Sequence, residues 1–349
     1  MSDIENKLNI AIIGAGWFGC HIASELLNEK NKYNVHLFEK ENDIFLGASG
    51  NNQNRLHLGY HYPRSYITRV QSKKCFKEFV KKYPNFSNKI SNNIYAIADD
   101  SNNITDFETY IQILKATGLK YKIIKPNKFG LKNIVGAIKT DERKINTFDI
   151  KKFFKKKLKK NLFLNRKIKV IKRIKNYFLI KKKKYDYVIN CTWQQSFSNK
   201  KWNLHYEPCI SLTYKIKRKH PAITIMDGPF ITIYPWEKNE FNAYSVKNSR
   251  ITSTKNINKA NKILKQFSIK EKYSRKKNIE KEIIKFYPNF KKFFMFKKFS
   301  MCVRTIINTK FHSRECKLDE NHRFISILSG KVDHIFYATK KIKECLKKS

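Results

Sequence analysis

The sequence predicts an α/β fold in which a parallel-sheet domain, made of separated segments, is interrupted by an inserted antiparallel β-sheet. Three observations predict it. Residues 8–40 read as strand, glycine turn, helix and strand. The far end of the chain returns to strand then helix, and the middle, 206–250, is a succession of β-rich runs.

LNIAIIG (8–14) is a short Ile-rich apolar run, the pattern of a strand buried on both faces. A helix-compatible stretch, 17–30, follows, and YNVHLFEK (33–40) alternates toward a second strand. Residues 47–64, GASGNNQNRLHLGYHYPR, have neither period and read as a functional loop. A helix is expected over 65–82, then strands at 89–98 and 134–146 flanking a helix near 104–117. Asn146, Thr147 and Asp149 offer capping groups to a basic helix, 149–160. Two short strands are expected around 166–181, and YDYVINCTW (185–193) is another buried-strand pattern. PCISLTYKIK, ITIMDGPFITIYPW and FNAYSVKNS supply the β-rich middle, and 257–290 is polar and helical. RFISILSG (323–330) closes with a strand, and KVDHIFYATKKIKECLKK with a helix.

At 349 residues, 41% hydrophobic and 14% aromatic, the chain has material for two cores, which excludes wholesale disorder. No apolar run reaches the roughly 20 residues of a membrane span. MSDIENKLNI lacks the basic-then-apolar layout of a secretory leader. The seven cysteines (20, 75, 191, 209, 302, 316, 345) have no spacing suited to zinc or a redox pair. A cytoplasmic protein with reduced thiols and no metal site is the expectation. The formal charge is +46, yet residues 1–70 are neutral, while 151–184 hold fifteen Lys, two Arg and no acid. That ridge would attract polyanions, so an RNA-binding reading stands beside the enzymatic ones, with Phe153, Phe154, Phe163, Tyr177 and Phe178 as stacking residues. Sixty-two Lys against twelve Arg point instead to coding bias, and the aromatic spacing equally suits a core face.

Gly14, Ala15, Gly16, Trp17, Phe18 and Gly19 form G-x-G-x-x-G between the first strand and its helix. In that setting the glycines permit a tight turn, backbone approach to a pyrophosphate and close helix packing, and the helix start offers unpaired N–H groups. Glu39, followed by Lys40, ends the second strand where a carboxylate accepts ribose hydroxyls; an acid there disfavours the 2′-phosphate of NADP. The 8–40 unit is therefore Rossmann-like, and its motif alone does not separate FAD from NAD.

GASGNNQN (47–54), after the acid-ended strand, resembles the flavin-contacting loop of the D-amino-acid-oxidase-like (DAO) family of FAD-dependent oxidoreductases. INTFDI (145–150), YDYVINCTW, DGPFITIYP (227–235), CVRT (302–305) and RFISILSGKVDHI (323–335) resemble later segments of that family in its order. The resemblance implies a glutathione-reductase-like, FAD-binding domain over 1–85, 146–203 and 301–349, with a substrate domain over 86–145 and 204–300. It implies FAD as cofactor, with Ser49, Gly50, Asn51, Asn52 and Gln53 beside the flavin and the stretch around Val170 on the adenine side. Gly330, Lys331 and Val332 would face flavin N1 and O2, where charge gathers on reduction.

The same resemblance places Arg304 as a clamp on a substrate carboxylate, a task that suits a planar fork, and Tyr234 as a second substrate contact. For each, the plainer reading is a strand arginine and a packing tyrosine. His57, Tyr60, His61 and Tyr62 follow the flavin loop; His57 is a candidate to take a proton from an amine or alcohol, and aromatic packing is the alternative. Cys302 stands where some family members tether FAD, and buried small hydrophobe is its other reading. The expected activity is hydride transfer from a small amine or amino-acid-like substrate to flavin N5, and the basic surface suits an anionic substrate. A flavoenzyme acting on a modified sugar or nucleotide-linked intermediate is the alternative.

Overall fold

The computed structural model describes residues 7–308 and 314–347. The chain divides into two units, one of Met1–Gly50, Thr147–Asn203 and Arg314–Ser349, the other of Asn51–Asn146 and Leu204–Ser313.

The first unit is built on a six-stranded sheet with β1 (Leu8–Ile13) near its centre. On one side β1 pairs in parallel with β2 (Tyr33–Phe38), which pairs with Leu162–Phe163; on the other it pairs in parallel with Tyr187–Asn190. Phe324–Leu328 adds a further parallel strand, and Lys317–Asn321 an antiparallel edge. Ile10, Ala11 and Ile12 have no exposed surface, which is why the run is apolar throughout rather than alternating. The helix α1 (Trp17–Leu27) follows the glycine turn. It packs against the C-terminal helix, Ile335–Leu346, with His21 edge-on to Phe336 at 4.8 Å. The chain order thus reverses beside β1, and the crevice outside the carboxyl end of such a strand is where α/β sheets take ligands.

Two readings of the basic segment change. The strands expected from 166 start only at Lys172, and Lys172–Ile174, Tyr177–Ile180 and Lys183–Tyr185 form a small antiparallel sheet of their own. Phe154 and Phe178 are buried in this unit, and Phe163 stacks on Phe38 at 5.4 Å. Core packing accounts for Phe154 and Phe178, two of the five aromatics of that segment.

The second unit holds an eight-stranded sheet in which neighbours are antiparallel except Ala222–Met226, which runs parallel to Asn93–Ala98. Its longest pair is Leu204–Ile216 against Phe294–Ile307. One core joins strand residues such as Ile210, Leu212 and Ile231 to Ile279, Ile283, Phe286 and Phe290. A second joins Tyr95, Ile97 and Ile138 to Tyr110, Ile111 and Leu114 of the helix Phe107–Ala116. The helical stretch expected over 257–290 is broken into Ile257–Gln266 and Ile269–Phe286, because Ser268 and Glu271 form a reciprocal capping box that starts a new helix.

Residues 51–85 and 301–308, which the sequence boundaries assign to the nucleotide domain, group with the second unit; residues 309–313 of that assignment lie outside the described residues. Arg55–Leu56 pairs with Arg143–Ile145, and the 294–307 strand runs unbroken past residue 301 along its 204–216 partner.

Candidate functional site

In the first unit the glycine motif forms the turn its spacing implies. Gly14 has φ +99°, and a Cβ there would lie 2.9 Å from the Cys191 carbonyl oxygen. A Cβ on Gly19 would lie 1.9 Å from the Gly14 carbonyl oxygen, so only glycine lets α1 seat this closely on the turn. Gly16 caps α1, the Trp17 N–H donates to Ser49 Oγ at 3.0 Å, and Phe18 continues the first turn. Glu39 bends its carboxylate onto the same turn: Ala15 N–H donates to Oε2 at 2.8 Å and Glu41 N–H to Oε1 at 3.1 Å. Lys40 is exposed and pairs with Glu41. The positive helix start and the acid are therefore adjacent, the combination a dinucleotide's pyrophosphate and ribose need.

The 47–54 loop begins with a short helical turn, Ala48–Gly50. In the second unit it continues through Asn51, whose carbonyl accepts from Cys302 Sγ at 3.8 Å, and Asn52, whose Oδ1 accepts from the Asn54 N–H at 2.6 Å; Gln53 is half-buried. Burial pushes the Cys302 thiol up to about 12, which keeps it protonated and weakly nucleophilic. Val170 is exposed and lies outside any strand. The backbone beside Glu39 is instead that of Phe163 and Arg166: Glu39 N–H donates to Phe163 O and Arg166 N–H to Glu39 O.

At the far end, a Cβ added to Gly330 would meet no atom within 4 Å, so its backbone faces open space. Lys331 is buried, although it is one of sixty-two lysines; its N–H donates to Ser329 Oγ at 3.3 Å. Val332–His334 form a short helical turn ahead of the C-terminal helix. A tight turn at a helix start, an acid at the end of β2 and an unobstructed glycine ahead of the last helix fit a flavin dinucleotide.

The second unit contains a buried polar cluster. Glu142, fully buried, accepts from Tyr95 OH at 2.6 Å and the Leu58 N–H at 2.8 Å, and pairs with Arg55 at 3.2 Å and with His57 Nδ1 at 3.6 Å. Burial alone would raise its carboxyl, but His57, Arg55 and Tyr95 outweigh burial and hold it well below the usual carboxylate range. Tyr234 is fully buried; its ring lies under the Arg55 guanidinium at 4.4 Å, and its hydroxyl donates to the Arg143 carbonyl at 3.2 Å. The structure thus brings His57 and Tyr234 together through Arg55 and Glu142. Arg304 belongs to a different cluster, bonded to Glu207 at 2.7 Å. Tyr60 is buried and His61 sits beside His57, ring centroids 5.9 Å apart.

Sequence reasoning missed Glu142, because 134–146 reads as one strand, whereas the structure breaks it into Ile134–Thr140 and Arg143–Ile145 with Glu142 at the break. It also missed Glu207, for which a signal existed: a lone acid flanked by Tyr206, Pro208, Cys209 and Ile210 implies a partner. Among the described residues there is no group of three or more His, Cys, Asp or Glu placed to hold a metal, and no helix long and apolar enough to cross a membrane.

The chain matches known proteins along nearly its whole length. It is 31% identical to the FAD-dependent monooxygenase FPY4 of Fusarium mangiferae over 97% of this chain and 90% of that protein. It is 26% identical to the FAD-dependent monooxygenase kojA of Aspergillus flavus, over 97% and 86%. Among solved structures, FAD-bound L-alpha-glycerophosphate oxidase from Mycoplasma pneumoniae superposes with a TM-score of 0.75 at 13% identity, covering 98% of this chain and 95% of that one. Glycine oxidase from Geobacillus kaustophilus gives 0.70 at 11%, covering 98% and 96%. Residues 9–316 match the family described as DAO, FAD dependent oxidoreductase. With that match and the dinucleotide cradle at Gly14 to Gly19, the chain belongs to the DAO family of FAD-dependent oxidoreductases.

Proposed function

We propose that the chain oxidises a small amine or amino-acid-like substrate at the C–H bond beside nitrogen. FAD, when bound, supplies the two-electron acceptor, at flavin N5, for the hydride that leaves. In this reading Gly14, Gly16 and Gly19 hold the pyrophosphate and Glu39 the ribose. Ser49 to Gln53 pass beside the isoalloxazine, and Gly330, Lys331 and Val332 offer backbone N–H groups and an ammonium to its N1 and O2 side.

An ammonium does not release hydride readily from the adjacent carbon, so the substrate nitrogen must first lose a proton. His57 takes that proton. An imidazole can take it, and Glu142 holds the ring from the Nδ1 side at 3.6 Å. The single observation carrying this reading is that Glu142, a fully buried carboxylate, is spent on His57, Arg55, Tyr95 and the Leu58 N–H. Burying a charge is costly unless partners offset it, and His57 is one of those that do.

The test is anaerobic mixing of the yellow holoenzyme with alkylamines, amino acids and sugar alcohols, reading the loss of flavin absorbance. Bleaching by amines or amino acids is expected, slowed roughly 10²-fold in His57→Gln. Bleaching by sugar alcohols alone would refute the proposal.

A further inference from the structure

Arg304 occupies the position where the family resemblance implies a carboxylate clamp, yet the chain already supplies it with a carboxylate. Glu207 and Arg304 are directly opposed across the 204–216 and 294–307 strands, so their pairing is set by sheet register. Arg304 Nη2 donates to Glu207 Oε2 at 2.7 Å, and Arg250 Nη1 to Oε1 at 3.4 Å. Arg250 is held in place by its backbone bridge to Cys209 and by the Ile251 N–H bonded to the Pro208 carbonyl at 2.9 Å. Glu207 is 8% exposed. The Arg304 guanidinium also lies 5.6 Å from the Tyr244 ring centroid, and its buried Nε makes no hydrogen bond among the described residues.

We infer that Glu207 occupies Arg304 from within the chain and thereby selects amines that carry no carboxylate. This rests on the amine reading above and narrows it. A substrate carboxylate reaching Arg304 would either stand beside the Glu207 charge or displace a side chain tethered at high effective concentration by two strands. A displaced Glu207 would be left charged in a half-dry setting, which costs more than the new pair returns. An uncharged substrate meets neither obstacle. Glu207 is in this sense a specificity-determining residue.

The experiment uses the holoenzyme and two probes sharing one carbon chain, propylamine and 2-aminobutyrate. Wild type is expected to reduce its flavin faster with propylamine. Glu207→Gln keeps the shape and removes the charge, and should shift the ratio of the two rates toward 2-aminobutyrate by about tenfold or more, the worth of a charge-assisted hydrogen bond. Glu207→Gln with Arg304→Gln should lose that gain. Butyrate binding, read by flavin fluorescence without turnover, should be weak in wild type and at least about tenfold tighter in Glu207→Gln.

A wild type that prefers 2-aminobutyrate or binds butyrate as tightly as Glu207→Gln would overturn the inference. So would an unchanged rate ratio in a flavin-loaded Glu207→Gln. If neither probe bleaches a flavin that dithionite does bleach, the amine reading fails, and the butyrate titration still decides whether Glu207 blocks the clamp. Should Glu207→Gln fail to fold, the wild-type preference remains decisive: faster reduction by 2-aminobutyrate than by propylamine overturns the inference.

Discussion

Replacing Glu142 by Ala removes one carboxylate and strands four groups. Arg55 is buried and loses its ion-pair partner at 3.2 Å; Tyr95 OH and the Leu58 N–H lose acceptors at 2.6 and 2.8 Å; His57 loses its anchor. Breaking a buried pair by deleting one member costs about 3–5 kcal/mol, because the remaining charge stays buried without compensation. With an unfolding entropy of about 2.1 cal/mol/K per residue, a chain of this length loses roughly 4–7 °C of Tm for that cost. Differential scanning calorimetry of the flavin-saturated protein measures it directly. The pair can also be removed whole. Arg55→Met with Glu142→Leu leaves no orphaned charge, and such replacements are often neutral. The double variant should therefore melt above Glu142→Ala while losing the activity that depends on an oriented His57. A Glu142→Ala protein melting within about 1 °C of wild type would refute the reasoning, since the cluster would then carry no net charge compensation.

Two further outcomes are expected. Gly19→Ala places a methyl 1.9 Å from the Gly14 carbonyl oxygen, so the purified protein should be colourless and should not regain flavin on incubation with FAD; an absorbance spectrum decides it. His220 sits among Phe241, Tyr287 and Phe294, and burial pulls its imidazole down to about 4 from an ordinary 6.5. The folded chain therefore binds fewer protons than the unfolded one between those values. Stability should fall by up to about 3 kcal/mol as pH drops from 6.5 to 4, and urea midpoints of His220→Phe should lack that part of the slope.

What could be read from residues alone follows from how local each signal is. The turn at Gly14 to Gly19, β1, α1, β2 and Glu39 lie within one short stretch, where spacing fixes geometry, and the structure has them as read. The two-helix division at Ser268 is also present in the letters, as Ser-x-x-Glu. Glu142 and Glu207 are different. Each owes its role to partners 84 to 97 positions away, Leu58 N–H for one and Arg304 for the other, and a single sequence carries no record of such pairings. Lys331 shows the same limit from the other side. Nothing in its neighbours distinguishes it from the solvated lysines, and only the fold shows it buried.

The parallel sheet of the first unit has a temporal consequence for synthesis. Tyr187–Asn190 pairs on one side with β1 and on the other with Phe324–Leu328, which the ribosome reaches 134 residues later. At about 5–20 residues per second that is a delay of roughly 7–27 s, during which the nascent sheet presents a bare hydrogen-bonding edge. The whole eight-stranded unit except its first segment is made in that interval. Slow translation or a shortage of chaperones should therefore harm this chain first at the 187–190 edge, through association between unfinished chains, before any cofactor can be taken up.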